Sequence, residues 1–490
     1  MSGVLQGKRA ALLLLTSVEL VVFLDVSIVN VALPAIGAAL GLTVVGLAWV
    51  GTAYQVTFGG FQLGAGRATD ILGRRRMFQI GLAVFTFASL LAGLAAWDWM
   101  LIAARALQGV GAAILIPAEL SLLTAIFTDP AAHRRAFGWW SAMGAVGAAG
   151  GVVLGGLIVE LLSWPWIFLI NVPIGVVGLF LSGRLLPADD VPSLAGVRAR
   201  LDVPGIVTGT AALLLLVYVV TVAAEGDLDA LTLLLGVAGA ALAVAFVVVE
   251  RRSDDPLLPF RFFRNPDITG STLASVIVGA AHVPAFVFLA LYFQEVRDYS
   301  PLESGLAVLP IAVVNLIVSR TLIPSALAAW GPRMVLTLGM AFLAAGLLLM
   351  SRLPVGADFL TDYLPAAVVF AVGLPAVFVG STIPAVKAVE GHETGVISAV
   401  VNTAQRIGAG LGIAVLAALA EARTDAVDGP SDAFAVNEGF QLGFLGAGLL
   451  AVVGVLIGIW LIRRGRALDE QPSDAPADDD ESMKSADAGA

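Results

Sequence analysis

Residues 24–34 read Leu24-Asp25-Val26-Ser27-Ile28-Val29-Asn30-Val31-Ala32-Leu33-Pro34 and close the first long apolar run of the chain. Asp25 stands well inside a segment that otherwise has the composition of a membrane-spanning helix. An Asp at the centre of such a helix costs roughly 2.5–3.5 kcal/mol, so an ionisable group there points to function. Two readings are open. The carboxyl either binds and releases a proton, or it only hydrogen-bonds a neighbouring helix and ties the bundle together. On the first reading, the rest of the chain is machinery that exposes Asp25 to one side and then the other.

Working outward, the chain has 490 residues, of which 59% are hydrophobic and 13% charged, with a mean hydropathy of +0.94. Soluble proteins average roughly 25% charged residues. Fourteen apolar runs follow one another between residues 10 and 462, the tenth and eleventh at 303–326 and 334–351. Each is long enough to cross ~30 Å of hydrocarbon. Strand-type alternation is absent, which excludes an outer-membrane barrel. The class is an all-α polytopic membrane protein.

Lys and Arg test the topology, because cytoplasmic loops are enriched in them. The connections on the N-terminal side hold Lys8, Arg9, the Arg74–Arg76 run, Arg134, Arg135, Arg251, Arg252 and most of the rest; the opposite connections hold only Arg297, Arg352 and Arg423. Both termini are therefore expected in the cytoplasm. Lys8 and Arg9 before an apolar core mimic a signal peptide, but no small-residue cleavage site with a polar start follows, so an uncleaved first helix is expected. The longest inner connections divide the chain into a six-helix bundle at 1–186, a linker with two extra transmembrane helices at 187–267, and a second six-helix bundle at 268–465. An acidic tail at 466–490 is too polar to fold. Two bundles around a central pair suit a secondary transporter, whose halves rock about a midplane site.

Other chemistry finds no foothold. With no cysteine and three histidines, the composition argues against disulfides, thiolate zinc sites and a metal centre. No P-loop occurs, so ATP-driven pumping by this chain is excluded. The basic loops flank the membrane and do not form a nucleic-acid surface. Neither an enzyme nor a cofactor is expected; the energy source is a proton gradient. The expected partners are the lipid bilayer, protons and a small amphipathic molecule, with no obligate protein partner.

The loop after the second run reads Gly66-Arg67-Ala68-Thr69-Asp70-Ile71-Leu72-Gly73-Arg74-Arg75-Arg76. Asp70 there either sits at the positive N-terminus of the third helix or pairs with a nearby Arg. This loop resembles the G-x-x-x-D-x-x-G-R-[KR] signature of the major facilitator superfamily. Further matches are similar to its fourteen-helix drug:proton antiporter branch (EmrB/QacA-like): residues 24–34, Arg105-Ala106-Leu107-Gln108-Gly109-Val110-Gly111, WIFLINVPIG at 166–175, YSPLESGLAVLP at 299–310 and NTAQRIGAGLG at 402–412. The resemblance implies the major facilitator fold and proton-driven export of amphipathic compounds. It also implies that the 66–76 loop, with Gly66, Asp70, Gly73, Arg74 and Arg75, latches the bundles on the cytoplasmic side. Asp25 and Arg105 stand at positions that serve proton coupling.

The chain departs from that pattern at Gly151-Val152-Val153-Leu154-Gly155-Gly156, where the antiporter motif reads G-P-x-x-G-G. Gly151, Gly155 and Gly156 still permit close helix packing, but Val152 removes the proline bend. Ser163-Trp164-Pro165-Trp166 likewise lacks the arginine of an S-W-R-W pattern. Transport direction stays open on these residues.

The remaining polar groups in spans each have two readings. Asp25 and Arg105 lie at compatible depths for a pair. Glu19 precedes Asp25 by six positions, about 600° of helix rotation, so the two point to different faces. Glu19 and Glu119 are candidates for a second proton site or a counter-ion, or are structural carboxylates. Arg406, with Asn402 one turn before it, either lines the substrate cavity or bonds backbone carbonyls. Asn30, Gln108, His282 and Asn315 complete the candidate cavity; for His282 an interhelical hydrogen bond is the favoured reading. Phe286, Leu289 and Phe293 read as packing rather than a drug box. Exporting drugs, moving one specific metabolite in either direction, and serving as a non-transporting membrane receptor are the functions left to separate.

Overall fold

The computed structural model describes residues 2–189, 202–225, 229–253, 256, 258, 260–389, 393–427 and 431–462, and every regular element among them is helical. The expected acidic tail at 466–490 and residues 190–201 of the first long connection lie outside the described residues. The helices are α1 Ser2–Leu40, α2 Val44–Leu72, α3 Arg74–Gly93, α4 Asp98–Ile126, α5 Pro130–Leu161, α6 Trp166–Leu169, α7 Asn171–Leu185, α8 Val203–Glu225, α9 Ala230–Arg252, α10 Pro266–Leu291, α11 Pro301–Met350, α12 Leu364–Lys387, α13 Thr394–Ala426 and α14 Asp432–Trp460.

Short polar residues start these helices. Thr43, Asp129, Asp229 and Ser431 each accept a backbone N–H in the first turn of α2, α5, α9 and α14. Ser300 and Glu303 form a reciprocal capping box at the start of α11. Gly73, at φ 100°, separates α2 from α3 in a conformation other residues rarely adopt.

The sequence predicts fourteen spans; among the described residues, twelve segments are long and apolar enough to cross a membrane. Two features explain the difference. α11 carries the tenth and eleventh runs as one 50-residue helix, broken at Gly331 (φ 73°, ψ 169°). α2 has 29 residues but buries Thr52, Tyr54, Gln55 and Thr57, which lower its hydropathy.

α1–α7 pack together, as do α10–α14, while α8 and α9 pair with each other. α8 lies over the seam between the halves: Val217 shares a small core with Val56 of α2 and Ala414 of α13. The halves meet mainly through α2 with α13 and α5 with α11. Glycines allow the closest approaches. A Cβ at Gly151 would come 2.7 Å from Leu24 O, and one at Gly155 3.0 Å from Ile28 O, so this face of α5 presses on the α1 backbone. Gly156 turns to the other half, where a Cβ would sit 2.6 Å from Leu302 Cα.

The bonds that cross between halves gather toward one end. Val45 N donates to Glu421 Oε2 at 2.9 Å, and Gln294 Nε2 donates to Val31 O at 2.9 Å. That end carries the α1–α2 and α13–α14 turns. Opposite it lies the 66–76 loop.

Candidate functional site

Asp25 is fully buried, and three N–H donors converge on it. Arg105 Nη1 lies 2.6 Å from its Oδ2, Gln108 Nε2 3.1 Å from Oδ1, and Asn171 Nδ2 3.0 Å from Oδ1. All three partners donate, which is the pattern a carboxylate takes. Arg105 is held in turn: Nε donates to Val50 O at 3.2 Å and Nη1 to Gln108 Oε1 at 2.8 Å. Its guanidinium carbon lies 4.4 Å above the Tyr54 ring and 5.8 Å from that of Phe168. Gln108 also donates to Ser89 Oγ at 2.8 Å.

Local sequence explains how the groups reach one another. Arg105 and Gln108 are three apart on α4 and share a face. Gly109 beside them brings α4 against α2, where a Cβ would collide with Tyr54 O and Thr57 Oγ1. Asn171 begins α7, just past the interruption at Ile170, so its side chain is delivered at a helix start rather than along a continuous face. A buried ion pair needs further donors and acceptors around it; Val50 of α2, Gln108 of α4 and Asn171 of α7 supply them, and Ser89 of α3 supports Gln108.

The sequence singles out Asp25, Arg105 and Gln108 but misses Asn171, Ser89 and Tyr54. Asn171 carries a legible signal, a lone amide in an apolar stretch between Trp166 and Pro173. Ser89 carries none, since a serine that back-bonds to Phe85 O at 2.8 Å looks like any other in a span.

A second cluster lies on the other face of α1, as the 600° rotation requires. Glu19 and Glu119 are buried against the same stretch of α5, where a Cβ at Gly144 would lie 3.2 Å from Glu19 Oε1. Trp140 Nε1 donates to Glu119 Oε2 at 2.8 Å. Arg406, from the other half, places its guanidinium carbon 4.3 Å above Phe58 and donates to Gln55 Oε1 at 3.3 Å. It therefore bonds a side chain on α2 rather than backbone carbonyls.

Of the remaining candidates, His282 needs its reading corrected. His282 Nδ1 contacts Val278 O of its own helix at 2.6 Å, and its ring stands edge-on to Phe378 at 5.2 Å, so its hydrogen bond is not interhelical. Asn402 is exposed and donates to Ser398 O one turn back at 2.9 Å. Asn30 and Asn315 are half-buried and do not join the Asp25 network. Phe286 and Phe293 pack edge-on against Phe370 and Tyr363.

At the 66–76 loop, the carboxylate on the N-terminus of α3 is Asp189, not Asp70. It accepts from Arg75 N at 3.0 Å and Arg76 N at 2.9 Å. Asp70 lies inside the last turns of α2 and is exposed, too early in the chain to reach the free amides of α3. Arg75 donates to Gly183 O at 2.6 Å and Leu186 O at 3.4 Å, so here the loop is tied to the end of α7, within its own half.

Known proteins are similar to this chain. The family model for the Major Facilitator Superfamily matches residues 15–413. The puromycin resistance protein pur8 of Streptomyces alboniger is 37% identical over 480 residues, covering 94% of this chain and 93% of that protein. The cephamycin export protein CmcT of Amycolatopsis lactamdurans is 38% identical over 408 residues, covering 83% and 84%. Among solved structures, a bacterial homolog of the human lysosomal transporter Spinster, in its inward-facing and unoccupied conformation, superposes with a TM-score of 0.66 at 16% identity. That superposition covers 94% of this chain and 97% of the other, and at such identity it speaks for the fold alone. The helical architecture, the matched family model and the full-length relatives agree: this chain is a non-enzymatic membrane transporter that belongs to the Major Facilitator Superfamily.

Proposed function

We propose that the protein exports amphipathic drugs or related small molecules across the cytoplasmic membrane in exchange for protons, by alternating access. The observation that carries this reading is the buried Asp25–Arg105 pair with its two amide donors. Protonation of Asp25 removes the charge that holds Arg105 and leaves the acid needing an acceptor. The contacts joining α1, α4 and α7 must then rearrange, which gives a proton leverage over helix positions. Relatives named for puromycin resistance and cephamycin export favour antibiotic-like cargo.

The reading places fourteen spans in the membrane, with two six-helix halves flanking α8 and α9 and both termini in the cytoplasm. The break at Gly331 and the 29-residue length of α2 support that count, and the basic inner connections support the orientation. The end bridged by Val45–Glu421 then faces outward. The drive is sufficient. A proton crossing ~100 mV releases about 2.3 kcal/mol, and each pH unit adds about 1.36 kcal/mol.

Purified protein in liposomes with an imposed pH gradient tests the proposal, with puromycin as probe beside an uncharged and an anionic compound. Wild-type protein moves puromycin against its gradient, and Asp25→Asn, equally well incorporated, does not. Undiminished pH-driven flux in Asp25→Asn refutes the proton role. Flux that follows the proton inward identifies an importer instead.

A further inference from the structure

Glu19 and Glu119 form a pair unlike the Asp25 site. Glu19 is 1% exposed and Glu119 is fully buried, and both carboxyl groups reach the same stretch of α5, Glu119 at Trp140 and Glu19 one turn on, where a Cβ at Gly144 would lie 3.2 Å from its Oε1. Trp140 donates to Glu119 Oε2, but Glu19 Oε2 and Glu119 Oε1 accept no N–H or O–H among the described residues. Two buried anions close to each other repel strongly, and such pairs keep one proton between them. Asp25, with three donors, has the opposite surroundings.

Counting charge leads to the same place. The titratable groups close enough to act on Glu19 electrostatically are Glu119 on α4, Tyr54 on α2 and Arg406 on α13. Tyr54 adds no cation, and its buried hydroxyl has no hydrogen-bond partner among the described residues. One guanidinium balances one carboxylate, and a single proton accounts for the other. Arg406 comes from the opposite half and is seated on α2, with its guanidinium carbon 4.3 Å above Phe58 and 5.9 Å from the Phe23 ring. Any rocking of the halves changes its distance from Glu19, and so changes how firmly the shared proton is held.

From this geometry we propose that Glu19 and Glu119 hold one exchangeable proton between them, under the control of Arg406, so that each transport cycle moves two protons rather than one. The proposal rests on the reading of the protein as a proton-coupled exporter.

Two measurements test it. Infrared spectroscopy of the wild-type protein at neutral pH shows the carbonyl band of a buried neutral carboxyl, and both Glu19→Gln and Glu119→Gln remove it. A spectrum without that band overturns the proposal, and needs no variant that folds. In proteoliposomes clamped at zero membrane potential, wild-type protein sustains a puromycin gradient of roughly 100-fold per pH unit, at roughly tenfold per proton. The Glu19→Gln/Glu119→Gln double variant sustains roughly tenfold. A wild-type ratio near tenfold, or an unchanged ratio in the double variant, also overturns it while leaving the exporter reading intact. Wild-type protein that moves no puromycin against its gradient when the pH gradient is imposed instead removes the exporter reading itself, and the infrared result stands apart from that.

Discussion

At the scale of single residues, Asp25 is a charge the bundle is built to hold. Removing one member of a buried pair leaves the other uncompensated, at a cost of about 3–5 kcal/mol. Arg105→Leu is therefore expected to lower the unfolding temperature in detergent sharply. Asp25→Asn combined with Arg105→Leu is expected to recover most of that loss, because no lone charge remains. Asn171→Leu removes one hydrogen bond to a carboxylate, worth about 1.5–3 kcal/mol, and its effect on stability should shrink when Asp25 is already Asn, whose oxygen is an uncharged acceptor. Asp25 and Arg105 were legible because a charge inside an apolar run has no bland composition to hide in. Their partners were less so. Ser89 and Tyr54 belong to residue types that spans carry routinely, and only proximity to Gln108 and Arg105 gives them meaning.

At the scale of helices, glycine spacing on α5 sets how closely α1 is approached. Gly151→Val drives a side chain into Leu24 O and Ser27, and overpacking of this kind costs about 1–3 kcal/mol. Gly150→Ala, where a Cβ meets nothing within 4 Å, should be neutral in the same thermal assay. The 66–76 turn makes a second prediction. Losing a helix N-cap costs about 1 kcal/mol, so Asp189→Ala should speed hydrogen exchange at the Arg75 and Arg76 amides by roughly fivefold, whereas Asp70→Ala should not. The turn itself was readable from Gly73 and the arginine run. The identity of its acid was not, because Asp189 is more than a hundred residues away and arrives through the packing of α7 beside α3.

At the scale of the whole molecule, transport depends on the end bridged by Val45–Glu421 opening. The chain has no cysteine, so engineered thiols report without background. A cysteine pair at Val45 and Glu421, joined by a short bifunctional maleimide, should lock the α2–α13 seam and abolish exchange; either single cysteine, treated alike, should leave it running. The sequence by itself determined that this is a helical membrane protein, where its ionisable groups sit along their helices, and which family it resembles, because hydropathy, charge placement and short motifs are local properties. Which charges meet was decided only by the tertiary structure. Asp25 with Arg105 and Asn171, Glu19 with Glu119 and Arg406, and α3 with Asp189 are each joined by the lateral position and rotation of helices far apart in the chain. Those two quantities are set by how glycines and side chains interlock, and no single helix records them.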